Sequence, residues 1–350
     1  MRVLSVVGAR PQFVKLAPVA EALTEVGAEH VIAHTGQHYD PGMSDVFFAD
    51  LHIPHPDIEL AVGSGSHGAQ TGAMLSGLEQ VMLERRPDWV LVYGDTNSTL
   101  AGALAAVKIH LPIAHVEAGL RSFNRRMPEE HNRVLTDHAA DLLLAPTAVA
   151  MAHLANEGLA ARSVLVGDVM TDVCLRVRDA TLAAGLHPVA GLAPSSYLVA
   201  TIHRAENTDE PERLRDIVDA LAALPVPVLL MAHPRLRARC TDFGIELDRG
   251  AIRTVEPLPY PAMIAAVLGS RGVVTDSGGL QKEAYLLERA CTTLRTETEW
   301  VETLDHGWNV LLPDLEGLGI VSLRDVAGAP RSQPYGTGHA ARAVARALGL

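Results

Sequence analysis

Cysteine is scarce in this chain of 350 residues: Cys174, Cys240 and Cys291 lie far apart, with no CxxC spacing. That excludes a disulfide framework and a thiolate zinc site, and the expected setting is reduced and cytoplasmic. No clear His/Cys/Asp ligand cluster marks a metal site either. Long apolar runs are missing. The opening MRVLSVVGARPQFVKL is shorter than a signal-peptide core and lacks a small-residue cleavage site, and no stretch approaches a membrane span. Basic charge is in deficit, with 29 Lys and Arg against 41 Asp and Glu, a net −12. Nonspecific binding to nucleic acid or to an anionic membrane is therefore not expected, although a local Arg/Lys cluster can still hold one phosphate. Walker A, GxSxG and HExxH strings are absent, which removes the usual support for kinase, esterase and zincin chemistry.

What is present is a repeated alternation. Val3 to Val7, Val31 to Ala33, Trp89 to Tyr93, Ile113 to Val116 and Leu142 to Ala145 are short apolar runs of strand length. Amphipathic helical stretches such as Thr99 to Lys108 and His131 to Ala140 separate them. Alternation of this kind predicts a parallel sheet flanked by helices. After the Pro-, Gly- and Ser-rich LHPVAGLAPSS (186–196), a linker or surface turn, it restarts with strands near 197–201, 228–231, 252–255, 273–275 and 292–294. The prediction is an α/β protein of two Rossmann-like doubly wound domains. Residues 1–168 form the first, 169–335 the second, and 336–350 a last amphipathic helix.

Open parallel sheets bind ligands at the carboxyl ends of their strands. Gly8-Ala9-Arg10-Pro11 closes the first strand. Its glycine permits close backbone approach, Arg10 is a planar donor fork suited to phosphate, and Lys15 follows one turn on. The alternative is a plain turn with two solvated cations. Asp276-Ser277-Gly278-Gly279 precedes the helical LQKEA, and its amides can cradle a diphosphate while Glu283 meets ribose hydroxyls. The same string also fits an ordinary N-cap. Gly63-x-Gly65-x-x-Gly68 matches a dinucleotide fingerprint as text, but it does not close the first strand of a βαβ unit, so a hairpin or a loop leading into a helix is expected there.

Asp95 and Glu117 each follow a strand, and Glu129 opens a helix bearing Arg133. Clustered carboxylates supply a general acid or base, whereas single ones serve as caps or dipole complements. Of the 16 histidines, His203 and His233 stand out because both end strands.

Taken together, GARPQFVKLAP, TGQHYD, YGDTNSTLAGALAA, HVEAGLRS, MPEEHNRVLTDH, TIHRAEN, HPR, TDSGGLQKEA and LRTETEWVET resemble the non-hydrolysing UDP-N-acetylglucosamine 2-epimerase family, in family order over nearly the whole chain. The resemblance implies a GT-B-like architecture, usually a homodimer, with the site in the cleft between the domains and the C-terminal helix packed back on the first. It also implies interconversion of UDP-GlcNAc and UDP-ManNAc without a redox cofactor. By motif position, Arg10, Lys15, Asp95, Glu117, Glu129, Arg133 and His203 match the family's active-site set. His233, Ser277, Gly278, Gly279 and Glu283 match its UDP-binding positions, with Tyr260 and Met263 near the uracil. Gln37, His38, Gln70 and the Arg121 region match segments lining a second site for UDP-GlcNAc as activator.

The implied chemistry agrees with the inventory. The C2 proton of a GlcNAc ring is not acidic, and the fingerprint for oxidation by NAD is missing. Elimination of UDP to a 2-acetamidoglucal and re-addition requires carboxylates around C2 and cations on the diphosphate. The chain departs from the family at Met263, where many members have Phe, at Gly167-Asp168 in place of a GN turn, and at Tyr335-Gly336-Thr337-Gly338-His339-Ala340. Three alternatives stay open: a 2-epimerase of a UDP-2,3-diacetamido-hexuronic acid, a GT-B glycosyltransferase, and a non-catalytic UDP-sugar sensor.

Overall fold

A computed structural model describes residues 1–37, 53–187 and 189–350, without the side chains of Arg10 and Pro11. Its chain divides into two units, Met1–Val173 with Gln333–Leu350, and Cys174–Ser332. Both are parallel α/β sheets, as the apolar alternation predicts.

In the first unit the strands are β1 (Arg2–Val7), β2 (Glu29–His34), β3 (Ile58–Glu59), β4 (Trp89–Tyr93), β5 (Ile113–Val116), β6 (Leu142–Ala145) and β7 (Ser163–Leu165), ordered β3-β2-β1-β4-β5-β6-β7. The helices are α1 (Arg10–Glu25), α2 (His67–Arg85), α3 (Asn97–Lys108), α4 (Pro128–Ala139), α5 (Ala148–Asn156) and α6 (Val169–Ala184), the last running across the unit boundary. Central strands are buried on both faces and are apolar almost throughout, as covered parallel strands must be. Pro11 suits the start of α1, where its missing N–H has no partner to lose. The Gly63–Ser66 stretch leads into α2, the helical alternative to a hairpin.

The second unit holds β8 (Leu198–Thr201), β9 (Val228–Met231), β10 (Ile252–Val255), β11 (Gly272–Thr275), β12 (Ala290–Thr293) and β13 (Asn309–Leu311), ordered β10-β9-β8-β11-β12-β13. Its helices are α7 (Ala205–Thr208), α8 (Pro211–Ala222), α9 (Pro234–Asp242), α10 (Tyr260–Gly269), α11 (Gly278–Leu286) and α12 (Leu318–Val321). The Pro/Gly/Ser-rich stretch is a surface turn inside this unit, closed by a Val189–Leu192 bridge. It is not the linker.

The last helix, α13 (Ala340–Ala347), belongs to the first unit. Val344, Ala345 and Leu348 join Phe13, Leu16, Val19 and Leu23 of α1 in one core. Its first amides, Ala340 N and Ala341 N, donate to the carboxylate of Asp172 at 3.0 and 2.8 Å. Gly167 precedes this contact at φ +87, and Asp168 N donates to the carbonyl of Tyr335.

In each sheet the strand order reverses once at the centre, between β1 and β4 and between β8 and β11. These are the switch points where doubly wound sheets open a crevice. The carboxyl ends of the switch-point strands carry Gly8 and Gly94-Asp95 in one unit, and His203 and Asp276-Ser277-Gly278-Gly279 in the other.

Candidate active site

At the β4 and β5 ends of the first unit, charged side chains are paired and largely buried. At the end of β5, Glu117 adopts φ +73, a left-handed conformation that a non-glycine residue holds at a cost of about 1–3 kcal/mol. One carboxylate oxygen accepts from Lys15 Nζ at 2.6 Å, and both side chains are more than nine-tenths buried. Among the described residues the other oxygen, Oε2, has no hydrogen-bond partner. Burial pulls the Lys15 ammonium down, but Glu117, with Asp95 and Asp168, outweighs it and holds the group above its ordinary value. Gly94, at φ +62, lies against this pair, and a Cβ there would stand 2.9 Å from Lys15 Nζ. The glycine is therefore required twice, by conformation and by the amine. The next residue, Asp95, accepts from Arg133 at 2.5 Å, and Arg133 also reaches Glu130 at 3.0 Å.

Lys15, Asp95, Glu117 and Arg133 thus come together around the β4 and β5 ends. Glu129 is exposed in the first turn of α4. Its neighbour Glu130 is the buried one, accepting from Ser122 and Phe123 amides and from Arg133. Arg10 starts α1, but its side chain lies outside the described residues, as does His38.

Gln37 and Gln70 meet. Gln70 Nε2 donates to the Gln37 carbonyl at 3.2 Å, and Gln37 Oε1 accepts from Ser98. Asn97 Nδ2 donates to Gln70 Oε1, and Asn132 Nδ2 donates to the Asp95 carbonyl and to Asn97 Oδ1. Arg121 stands apart from this pair. Its guanidinium is buried and clasped by Asp137 at 2.7 Å and by both oxygens of Glu157 at 2.7 and 2.8 Å. All three of its nitrogens are engaged inside the protein, one of them also by the Leu120 carbonyl.

Gln12 is a site residue that the sequence reading does not single out. Fully buried, it accepts from the amides of Gly8 and Ala9 at 2.8 and 3.0 Å and donates to the Tyr93 carbonyl and to Thr99. Those two amides are therefore not free for an anion. Gly8 itself is glycine for packing, since a Cβ would strike the hydroxyls of Thr35 and Ser98. The signal for Gln12 was its place at the start of α1, one turn after a strand end.

The second unit builds from backbone donors. Asp276, wholly buried, accepts from the amides of His203 and Arg204, from Asn207 Nδ2 and from His203 Nδ1 at 3.1 Å. Burial alone would raise this carboxyl, but His203, the amide of Arg204 and Asn207 outweigh it and hold the group below its ordinary value. His203 remains partly exposed, with the His233 ring 6.0 Å away. His233 Nδ1 accepts from Arg235 N and caps α9. Ser277 caps α11 through Leu280 N, so the N-cap reading holds there; the first amides of a helix, at Gly278 and Gly279, have no acceptor within it and suit a diphosphate. Glu299 and Trp300 press on Gly278, where a Cβ would meet Glu299 Oε1, and Glu299 pairs with Arg295 at 3.0 Å. Glu283 and Tyr260 are buried. Burial, then Glu283 and Cys174, push the Tyr260 phenol well up. Met263 lies half-buried one turn along α10. Among the described residues no group of three or more His, Cys, Asp and Glu is placed to hold a metal, and no helix is long and apolar enough to cross a membrane.

Two doubly wound units of this kind make an α/β protein of GT-B-like architecture. The family model of UDP-N-acetylglucosamine 2-epimerases matches residues 21–349. The chain belongs to that family. It is 46% identical to a UDP-2,3-diacetamido-2,3-dideoxy-D-glucuronate 2-epimerase of Pseudomonas aeruginosa, covering 99% of both chains. It is also 46% identical to a UDP-N-acetylglucosamine 2-epimerase homolog of Methanococcus maripaludis, over 89% of this chain and 88% of that one. The structure of Methanocaldococcus jannaschii UDP-GlcNAc 2-epimerase in complex with UDP-GlcNAc and UDP is similar at a TM-score of 0.90 and 37% identity, over 100% of this chain and 99% of that one.

Proposed function

We propose that the protein interconverts UDP-GlcNAc and UDP-ManNAc by elimination and re-addition of UDP. The observation that carries this reading is the gathering of Asp95 and Glu117 about Lys15 at the β4 and β5 ends, each paired on one side with a cation, Arg133 or Lys15. Carboxylates held this way are placed to move a proton at C2. In the forward direction the C2–H bond breaks toward a carboxylate while the C1–O bond to UDP breaks. The products are 2-acetamidoglucal and UDP. Return of a proton to the opposite face of C2, with C1–O bond formation, gives the epimer. Glu129 completes the carboxylate set on substrate binding. Ser277, Gly278 and Gly279 hold the departing diphosphate, His233 contacts the same nucleotide, and Glu283 holds the ribose. Tyr260 and Met263 flank the base, Arg10 supplies further positive charge, and His203 stands with the active-site set. The reaction uses neither nicotinamide nor a metal ion. Gln37, His38 and Gln70 form the activator subsite, and the active protein is a cytoplasmic homodimer.

A second reading, 2-epimerisation of a UDP-2,3-diacetamido-hexuronic acid, is favoured by the Pseudomonas relative at 46% identity over the whole chain. Incubation in deuterated water with each UDP-sugar separates the two. UDP-ManNAc carrying deuterium at C2 supports the first reading. Turnover of the diacetamido-uronate alone replaces it with the second, and consumption that requires an acceptor sugar defeats both.

A further inference from the structure

We propose that His115 is a positioning residue for Asp95: an imidazolium buried in β5, it grips the carbonyl of Gly94 and fixes the turn that carries the carboxylate. The side chain is wholly buried, with Nδ1 2.7 Å from Asp137 Oδ1 and Nε2 2.7 Å from the Gly94 carbonyl oxygen. Both partners are acceptors. Asp137 is a carboxylate held below its ordinary range: burial opposes this, but His115 and Arg121 outweigh it. Its other oxygen takes Arg121 at 2.7 Å and the Gly119 amide at 3.1 Å. A carbonyl oxygen can only accept. A neutral imidazole donates from one nitrogen and would turn a lone pair toward the other oxygen, so the geometry requires a proton on both.

The charges around the ring support that state. Arg121, Asp137 and His115 are buried and alternate in sign along one chain of contacts, which continues to the half-exposed Glu157 and from there to His138 at the surface. A buried series of this kind avoids the penalty of a lone buried ion. Lys15 and Glu117 face the same turn and pair with each other.

The turn needs an external support. Gly94 has no side chain and tolerates none, so it is held through its backbone alone: its amide donates to the Val116 carbonyl at 3.0 Å, and its carbonyl meets His115 Nε2. His115 holds that carbonyl, while Asn132 Nδ2 holds the next one, that of Asp95, at 3.0 Å. The ring nitrogens of His115 meet Asp137 and the Gly94 carbonyl, so it acts on the Asp95 carboxylate through the turn. Its effect is to set the direction in which that carboxylate leaves the strand end.

This inference rests on the reading that Asp95 serves epimerisation at C2, and the tests keep the two apart. Nitrogen-15 spectra of histidine-labelled whole protein should show both His115 ring nitrogens protonated, a signature a merely structural histidine need not give. A bare Nε2 overturns the proposal. These spectra are taken on the wild-type protein, with His115 assigned through its backbone, so they decide the point even if a variant fails to fold. His115→Gln should lower kcat by about 30- to 100-fold, the scale of a misplaced catalytic group, with KM and UDP affinity within about threefold. A folded His115→Gln protein with kcat near wild type also overturns it. Wild-type protein that exchanges no C2 proton in any UDP-sugar removes the functional reading, while the spectra still judge the imidazolium.

Discussion

The two switch points solve different problems with different materials. Beside the first unit's switch point, at the β4 and β5 ends, charged side chains stand in opposed and mostly buried pairs: Lys15 with Glu117, Arg133 with Asp95 and Glu130, Arg121 with Asp137 and Glu157. At the β8–β11 end of the second, one buried carboxylate, Asp276, organises a loop by accepting from amides, and the amides of a helix start are left for a ligand. The first arrangement holds charges that can move a proton. The second holds dipoles suited to an anion that arrives and leaves. Fixed dipoles need no counter-charge, whereas every buried ion depends on its partner, so the first region should be the more fragile of the two.

The sharpest way to break this contrast is to remove one half of a buried pair. Lys15→Met leaves Glu117 uncompensated and should destabilise the protein by about 3–5 kcal/mol in urea unfolding, with Lys15→Met/Glu117→Gln recovering much of the loss. A single variant as stable as wild type would show that the pair is not a structural dependency. Next come the carboxylates themselves. Asp95→Asn, Glu117→Gln and Glu129→Gln should each lower turnover by about 100-fold or more, with UDP affinity retained. Near-normal turnover in all three would leave the first region with caps and no chemistry.

Acid should also separate the regions. His30, against Ser5 in the first unit, is held down to about 4, chiefly by burial. A histidine depressed in this way is neutral in the folded protein, so its contribution is complete above its ordinary 6.5 and is lost as pH falls toward 4. Between pH 7 and 4.5 wild type should lose about 1–2 kcal/mol more than His30→Gln, read from urea midpoints. Equal losses would count against a neutral buried ring. The smallest effect belongs to the second region. Ser277→Ala should cost about 1 kcal/mol as a lost cap and weaken UDP only slightly, because the amides remain. Loss of UDP binding in that variant would mean that the hydroxyl itself is the ligand.

Legibility followed burial. β1, β2, β4, β5 and β6, with β8, β9 and β11, carry apolar runs that give themselves away, while β10 and β12, IRTV and ACTT, are legible from the alternation around them. β3, β7 and β13 did not, and all three lie at sheet edges, two or three residues long, where no continuous apolar run is needed. In the candidate sites, position at a strand end singles out Asp95, Glu117, His203 and Ser277. It did not find Gln12, Asn132, Glu130 or Asp137, because a buried polar residue is defined by partners distant in sequence. His115 did leave a signal. It is the one polar residue in IAHV, a strand buried throughout, and such a residue must find partners inside. Gly8 misled in the other direction, a glycine required by two hydroxyls and read as an approach for phosphate.

The docking of α13 onto α1 also bears on how the protein is made. The first unit is written in two stretches of sequence, with all of Cys174–Ser332 between them. Until Gln333–Leu350 has been synthesised, Leu16, Val19 and Leu23 lack Val344, Ala345 and Leu348, and Asp172 has no helix start to cap. The second unit is contiguous and can close as soon as it leaves the ribosome. The order of folding during translation is therefore inverted: the part begun first is finished last, and its unfinished apolar face must be shielded for the whole interval.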